Sequence, residues 1–146
     1  MLVIGIGNRY RSDDGAGPAA LELLRIERLP GVRLLECEGE ASSLLDAWQG
    51  AGAVVLIDAA SSHAAPGTIY RFDLLAQPLP FEVSFLSAHA FGVAQAIELG
   101  RVLHQLPTSL ILYAIEGKSF AAGTGLSREV ALAVHEVVQH LKRELA

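Results

Sequence analysis

Hydrophobic and polar residues form two kinds of block along this chain. Some blocks have the pattern of a buried strand, and the others have the spacing of a helix. Residues 1–4 and 53–57 are continuous apolar runs, and the second run is rich in β-branched side chains. Such runs are typical of parallel strands that are buried on both faces. The blocks between them place leucine, valine and alanine at helical spacing. The pattern therefore predicts strands that alternate with helices.

The predicted elements fill most of the chain. Strands are expected at about residues 2–6, 32–37, 53–57, 68–72 and 110–115, the fourth as an edge strand because it alternates. Helices are expected after Ser12 or Asp13, after Ser42 or Ser43, from about residue 89 to 106, and after Ser127. Pro78 and Pro80 indicate a loop. The alternation predicts one domain over residues 1–146, an α/β fold of three αβα layers whose mainly parallel, twisted sheet has about five strands.

The apolar positions of the third helix predict which side faces the core. They recur through the expected helix from its first turn to its last. The residues predicted to pack inward are Phe91, Val93, Ala94, Ile97, Val102 and Leu103.

Composition narrows the classes of protein to consider. The chain has 146 residues, is 51% hydrophobic and carries a net charge of −5, which disfavours binding to nucleic acid or to an anionic membrane. Its one cysteine, Cys37, excludes an intrachain disulfide and a cysteine-cluster zinc site. No basic segment precedes the first apolar run, and residues 51–57 are too short to cross a bilayer. We expect a cytoplasmic, monomeric protein with no nucleic-acid or membrane partner.

A glycine-rich turn at residues 5–17 joins the first strand to the first helix. Such a turn usually indicates a phosphate cradle, but this one carries the adjacent carboxylates Asp13 and Asp14, and Tyr10 stands where a dinucleotide fingerprint has its third glycine. Carboxylates repel anions and attract cations, so the turn favours a metal or other cationic site over a nucleotide. A role for both acids in the first turn of the helix is an equally good explanation.

Two more polar residues are expected near this turn. Asp58 follows the central apolar run, where a buried charge needs a partner, and His89 begins the third helix. If strands 1 and 3 are neighbours, with strand 2 beyond strand 1, the turn and Asp58 flank the switch in strand order, where α/β sheets bind ligands. Aspartates and a histidine together suit nickel, zinc, manganese or iron.

Other candidates carry less weight. His89 by itself would more often cap a helix, and His63, in the loop after Asp58, is a reserve ligand. Glu116 repeats the position of Asp58 at the end of the last strand. Cys37 lies between two glutamates that disfavour its thiolate, and the chain has no Gly-x-Ser-x-Gly nucleophile elbow.

Taken in order, these motifs resemble the hydrogenase maturation proteases, endopeptidases that trim the large subunit of nickel–iron hydrogenases. The resemblance covers nearly the whole chain, and its specificity lies in the ordered set rather than in any one motif. The matching segments are Gly5-Ile6-Gly7-Asn8, Ser12-Asp13-Asp14-Gly15-Ala16-Gly17, Val55-Leu56-Ile57-Asp58-Ala59, Pro66-Gly67-Thr68, Ser87-Ala88-His89-Ala90-Phe91-Gly92, Ile115-Glu116-Gly117 and Gly125-Leu126-Ser127.

The resemblance implies a function as well as a fold. It implies a nickel-linked catalytic site at Asp14, Asp58 and His89, with nickel held in the protein's own site or presented by the substrate. It also implies cleavage of the C-terminal extension of a hydrogenase large-subunit precursor after nickel insertion, without a serine or cysteine nucleophile. We hypothesise that the three residues contact the nickel of the substrate while water attacks the nearby peptide bond.

Two departures from the family pattern bear on this function. Many members carry Gly-Gly-Thr after strand 2, where this chain has Glu38-Gly39-Glu40, in a loop expected to border the substrate cleft. Many also carry a proline where this chain has Gly117, which predicts a more flexible loop. Two other functions remain open: a nickel-binding or metal-checkpoint module without hydrolytic activity, and a nucleotide-binding domain.

Overall fold

The computed structural model describes residues 1–76 and 89–145, and it contains the predicted alternation of strands and helices. Within these residues the elements follow one another in the order predicted, with a short 3-10 turn, Ser12–Gly15, inserted before the first helix. The strands are β1 (Leu2–Ile6), β2 (Arg33–Cys37), β3 (Ala53–Ala60), β4 (Ile69–Asp73) and β5 (Ser109–Glu116). The helices are α1 (Ala16–Glu27), α2 (Ala41–Trp48), α3 (Ala90–Leu103) and α4 (Arg128–Leu145).

The sheet has the strand order β2-β1-β3-β5-β4. The first four strands in this order pair in parallel, and β4 is an antiparallel edge strand. This arrangement confirms the predicted fold class and the predicted placement of β1 between β2 and β3. From β1 the chain adds β2 on one side and β3 on the other, so the strand order switches between β1 and β3, and a crevice opens at their carboxyl ends, the usual ligand position in α/β folds.

Two apolar layers cover the two faces of the sheet. Helices α1 and α4 bury Leu21, Leu24, Val134 and Leu141 against one face. Helices α2 and α3 bury Leu44, Trp48, Val93 and Ile97 against the other. Because both faces are covered, the central strands consist almost entirely of buried apolar residues, as the continuous runs predicted.

Helix α1 crosses the sheet unusually closely at Gly17. A Cβ atom at this position would lie 2.5 Å from the carbonyl oxygen of Ile6 and 2.6 Å from that of Ile57. Only glycine allows this approach, which brings the start of α1, and therefore the turn before it, directly over the ends of β1 and β3. The glycine-rich turn therefore serves close packing rather than phosphate binding.

The predicted caps of the first two helices are wrong. Gly15 precedes α1 and Glu40 precedes α2, and neither helix begins with a side-chain cap; Ser42 and Ser43 lie inside α2. The 3-10 turn displaces the start of α1, so Ser12 and Asp13 lie before it and bond to a distant loop instead. Ser127 does precede α4, and its carbonyl accepts the N–H of Ala131.

The inward side of α3 was predicted only in part. Val93 and Ile97 are buried, but Phe91, Val102 and Leu103 are 70%, 73% and 51% exposed. The buried stripe runs through residues 93, 97 and 100, where Gly100 allows close contact with Leu106. The exposed apolar residues lie off that stripe. The loop predicted at Pro78 and Pro80 lies outside the described residues, and no helix among the described residues is both long and apolar enough to cross a membrane.

Candidate functional site

Three elements bring Asp14, Asp58 and His89 to the crevice at the ends of β1 and β3. Asp14 belongs to the 3-10 turn after β1, Asp58 belongs to β3, and His89 immediately precedes α3. One ligand atom from each of the three lies within 4.8 Å of the others. The structure therefore assembles the residues that the sequence nominated from positions 14, 58 and 89, far apart along the chain.

The closest contact in the site joins His89 to Asp58. His89 Nδ1 lies 3.0 Å from Asp58 Oδ1 and 3.9 Å from Asp14 Oδ1. The side chains are only 16%, 6% and 15% exposed for His89, Asp58 and Asp14, so water screens these charges weakly. The imidazole thus lies between two carboxylates in a half-closed crevice.

This setting raises the pKa of His89 above its ordinary 6.5. The hydrogen bond with Asp58 is the largest cause; burial opposes it, and the negative charges of Asp58 and Asp14 add to it. The positive charge of Arg11 acts in the opposite direction. The two carboxylates therefore favour positive charge at the imidazole position.

Asp58 lies within β3 rather than after it, because the strand continues to Ala60 through pairing with β5. The apolar run ends at Ile57, but backbone pairing does not depend on side-chain polarity, so the predicted strand end was three residues short. Asp58 Oδ1 accepts the N–H of Ala59 in addition to its contact with His89. The carboxylate is thereby oriented by the strand itself.

Asp14 is oriented by the turn. Its Oδ2 accepts the backbone N–H of Asn8 at 2.9 Å, which leaves Oδ1 on the side of His89. Other N–H groups of the turn are also bonded within the protein: Gly7 donates to Cys37, Ser12 to Gly123, and Asp13 to Ser119. A phosphate cradle needs such N–H groups for its ligand. Their internal use argues against the nucleotide-binding alternative.

Asp13 does not belong to the group formed by Asp14, Asp58 and His89. Its side chain is fully buried, and its carboxylate accepts hydrogen bonds from the backbone N–H groups of Lys118, Ser119 and Ser127 and from the Ser127 hydroxyl. Burial acts to raise the pKa of Asp13, but these four hydrogen bonds outweigh it and hold the pKa below its ordinary value. The two adjacent aspartates therefore have different surroundings.

Gly39, in the loop between β2 and α2, lies against His89. Its backbone has φ +95°, and a Cβ atom there would lie 3.0 Å from both Cβ and Cδ2 of His89. The flanking Glu38 and Glu40 are exposed. The sequence indicated that this loop borders the cleft, but the contact with the histidine itself had no sequence signal, because nothing local links position 39 to position 89.

The reserve candidates lie outside this group. Glu116 is buried, and its carboxylate accepts hydrogen bonds from the N–H and the hydroxyl of Ser62. His63 lies in the loop after β3 and has φ +66°. Among the described residues, neither joins the Asp14, Asp58 and His89 group. Gly117 donates its N–H to Ala60, a bond that proline could not make.

The donor set fits a first-row transition metal. Two carboxylate oxygens and one imidazole nitrogen match the ligands of nickel, zinc, manganese or iron. Bonds of about 2.1 Å place neighbouring ligands roughly 3–4 Å apart, and the two distances from His89 Nδ1, 3.0 and 3.9 Å, fall in that range. The same residues could equally meet a metal that a bound substrate carries.

Comparison with known proteins finds one family throughout. A family model described as hydrogenase maturation protease matches residues 20–144. The chain is 29% identical over 118 residues to the hydrogenase expression/formation protein HupD of Thiocapsa roseopersicina, covering 80% of this chain and 53% of that protein. It is 30% identical over 133 residues to the hydrogenase expression/formation protein HoxM of Azotobacter vinelandii, covering 88% of this chain and 63% of that protein.

A solved structure is similar along its whole length. The [NiFe] hydrogenase maturation protease HybD from Thermococcus kodakarensis superposes with a TM-score of 0.79 at 26% identity, covering 99% of this chain and 98% of that chain. By contrast, this chain spans only 53% and 63% of the lengths of the two curated relatives above. The fold is therefore shared in full with HybD, while the curated relatives contain additional sequence.

Proposed function

The chain belongs to the hydrogenase maturation protease family, and we propose that it is an endopeptidase that removes the C-terminal extension of a nickel–iron hydrogenase large-subunit precursor. One observation carries the proposal: Asp14, Asp58 and His89, which the family resemblance nominates, meet within 4.8 Å in the crevice at the switch in strand order. The partner is a protein substrate, and its C-terminal segment is the part that enters the crevice.

We propose that Asp14, Asp58 and His89 hold nickel at the site, as nickel carried by the precursor. The donor set fits such an ion, and the raised pKa of His89 reflects the attraction of the site for positive charge. A metal at this position supplies Lewis-acid character, which acidifies a water molecule or polarises a carbonyl. A substrate without nickel would lack this contact, so we expect cleavage only after nickel insertion.

The protein residues contribute orientation and proton transfer. Hydrolysis adds a water oxygen to the carbonyl carbon, breaks the carbon–nitrogen bond and places a proton on the leaving amine. Before nickel arrives, Asp58 Oδ1 orients the His89 ring through Nδ1. With nickel held by these two atoms, the second oxygen of the Asp58 carboxylate would accept the proton that water loses and pass it to the leaving amine. Asp14 adds a second negative charge to the crevice, and the Asn8 N–H holds its carboxylate in place.

The decisive experiment is a cleavage assay read by intact mass. The purified protein would be mixed with a large-subunit precursor, prepared with and without nickel, and the loss of the C-terminal extension recorded. We expect loss from the nickel-loaded precursor only. Asp46→Asn, an exposed acid on α2, is the matched control for Asp58→Asn and should cleave at the wild-type rate.

Other outcomes would select a different function. Binding of the nickel-loaded precursor without any mass change would support the metal-checkpoint module instead. Equal cleavage of both precursors would retain the peptidase and remove the requirement for nickel.

A further inference from the structure

The segment 118–127 is hydrogen-bonded to the turn that carries Asp14. Many of these bonds are made to Asp13, the residue next to Asp14. Within the part of the chain that the structure describes, every donor to the Asp13 carboxylate comes from this segment: the Lys118, Ser119 and Ser127 N–H groups, at 2.7, 3.1 and 2.7 Å, and the Ser127 hydroxyl at 2.9 Å. A carboxylate has about four lone-pair positions, so these donors nearly saturate it. Hydrogen bonds to a charged acceptor are also stronger than neutral ones.

Backbone bonds reinforce the same junction. Asp13 N–H donates to Ser119, Ser12 N–H donates to Gly123, and Gly123 N–H donates to Tyr10, all between 2.9 and 3.0 Å. The Ser12 hydroxyl also donates to the carbonyl of Ala121. The turn and the segment thus form one hydrogen-bonded unit, although more than a hundred residues of sequence separate them.

The turn is held partly by its own hydrogen bonds and partly by bonds to the segment 118–127. The N–H groups of Arg11 and Asp14 donate to the carbonyls of Asn8 and Arg11, but Ser12 has φ +50°, a conformation that serine rarely adopts, and no side chain caps the 3-10 turn. The bonds to the segment help to hold this strained residue in place. The Asp13 carboxylate accepts four of them.

We propose that Asp13 is a positioning residue: by fixing the turn to the segment 118–127, it directs the adjacent Asp14 carboxylate toward Asp58 and His89. Within one short turn, the Asp13 carboxylate is bonded to the segment 118–127, whereas the Asp14 carboxylate is bonded to Asn8 and lies near His89. Rotation of that turn would move Asp14 Oδ1 away from His89 Nδ1, which is 3.9 Å distant. The placement of Asp14 by Asp13 does not depend on the proposed function. Only the purpose of that placement, precursor cleavage, rests on it.

The experiment uses the backbone amide of Asn8 as a reporter. This N–H donates to Asp14 Oδ2, so its proton chemical shift follows the position of Asp14. The amides of Ser119 and Ser127 report on the Asp13 carboxylate in the same spectrum. The variants are Asp13→Asn, which keeps the size but loses acceptors, and the milder Ser127→Ala, which removes a single donor. Asp14→Ala is the reference variant, because it gives the chemical shift of the Asn8 amide proton when the bond to Asp14 is absent.

We expect the Asn8 signal of Asp13→Asn to move at least halfway toward its position in Asp14→Ala, with a smaller move in Ser127→Ala. Val137→Ala, a buried substitution on α4, is the control for general loosening and should leave Asn8 in place. An Asn8 signal that stays at the wild-type position in both variants, while the Ser119 and Ser127 amides move, would overturn the proposal.

The cleavage assay provides the functional arm. Asp13→Asn should lower kcat by about tenfold or more, as for outer residues that orient a site, with KM nearly unchanged. The NMR readout needs neither precursor nor metal. If the wild-type protein cleaves no precursor but the Asn8 signal moves in Asp13→Asn, the proposed function is refuted and the positioning role stands. If the wild-type protein cleaves the precursor but the Asn8 signal does not move in Asp13→Asn, only the positioning role is refuted.

Discussion

His89 Nδ1 lies 3.0 Å from Asp58 Oδ1, a contact between a residue that precedes α3 and a residue inside the central strand. The two positions are 31 residues apart in sequence and meet because β3 and α3 adjoin the same crevice. This pair, with Asp14 beside it, is the chemical centre of the proposed site.

Asp58→Asn and His89→Ala should each reduce precursor cleavage by about 100-fold or more, the usual contribution of a positioned acid–base group. Asn keeps the shape of Asp58 but removes the charge that orients His89. The measurement is the initial rate of C-terminal loss by intact mass. Asp46→Asn should cleave like the wild type, and a site variant that retained half the wild-type rate would contradict the proposed role.

Free Ni²⁺, used in place of the nickel that a precursor carries, should bind the site more weakly as the pH falls. Because Asp58 and Asp14 raise the pKa of His89 above 6.5, the proton competes with a metal for Nδ1 at a higher pH than for an ordinary histidine. Isothermal titration of the protein with Ni²⁺ between pH 8 and pH 5.5 should therefore show a steady loss of affinity. His89→Ala should bind more weakly and lose most of the pH dependence across this range. A pH-independent affinity in the wild-type protein would count against ligation by His89.

Gly39→Ala should impair the site more than it impairs the fold. Alanine at φ +95° is strained, and its Cβ would lie 3.0 Å from two atoms of His89. Gly50→Ala is the matched control, since Gly50 has φ +73° but no atom within 4 Å of the added Cβ. Both variants should lose roughly 1 kcal/mol of unfolding free energy. Only Gly39→Ala should slow cleavage, and equal cleavage rates would show that the contact with His89 is unimportant.

Asp13 should stabilise the fold above acidic pH. A folded-state pKa that is lower than the unfolded value stabilises the protein above the unfolded pKa, and the stabilisation disappears as the pH falls through the folded pKa. Asp13→Asn should therefore cost about 1–3 kcal/mol at pH 7, through donors left unsatisfied. The difference from the wild type should shrink below about pH 4, near the ordinary carboxyl pKa.

Urea unfolding at pH 7, 5, 4 and 3 tests this expectation. Asp46→Asn serves again as the control because its side chain is exposed on α2. A stability difference between Asp13→Asn and the wild type that stayed constant from pH 7 to pH 3 would mean that the charge of Asp13 contributes nothing.

Much of the fold could be predicted from the sequence, because the physical causes are local. The continuous apolar runs at β1, β3 and β5 followed from burial on both faces of the sheet, and the helix expected after Ser127 is present as α4. The predictions that failed depended on contacts between distant segments. The exposed Phe91 and Val102 of α3 are examples, since a short apolar-rich helix does not specify which side meets the sheet.

The sequence by itself placed Asp14, Asp58 and His89 near the ends of elements that share one edge of the sheet. Strand order then placed them in one crevice, which is why the same residues could be nominated before any distance was known. Only the tertiary structure separated the two adjacent aspartates, because Asp13 and Asp14 have the same chemistry and the same local signal. Asp13 meets N–H donors from the segment 118–127, whereas Asp14 meets His89, and long-range packing alone decides which of two neighbouring carboxylates is buried and which faces the crevice.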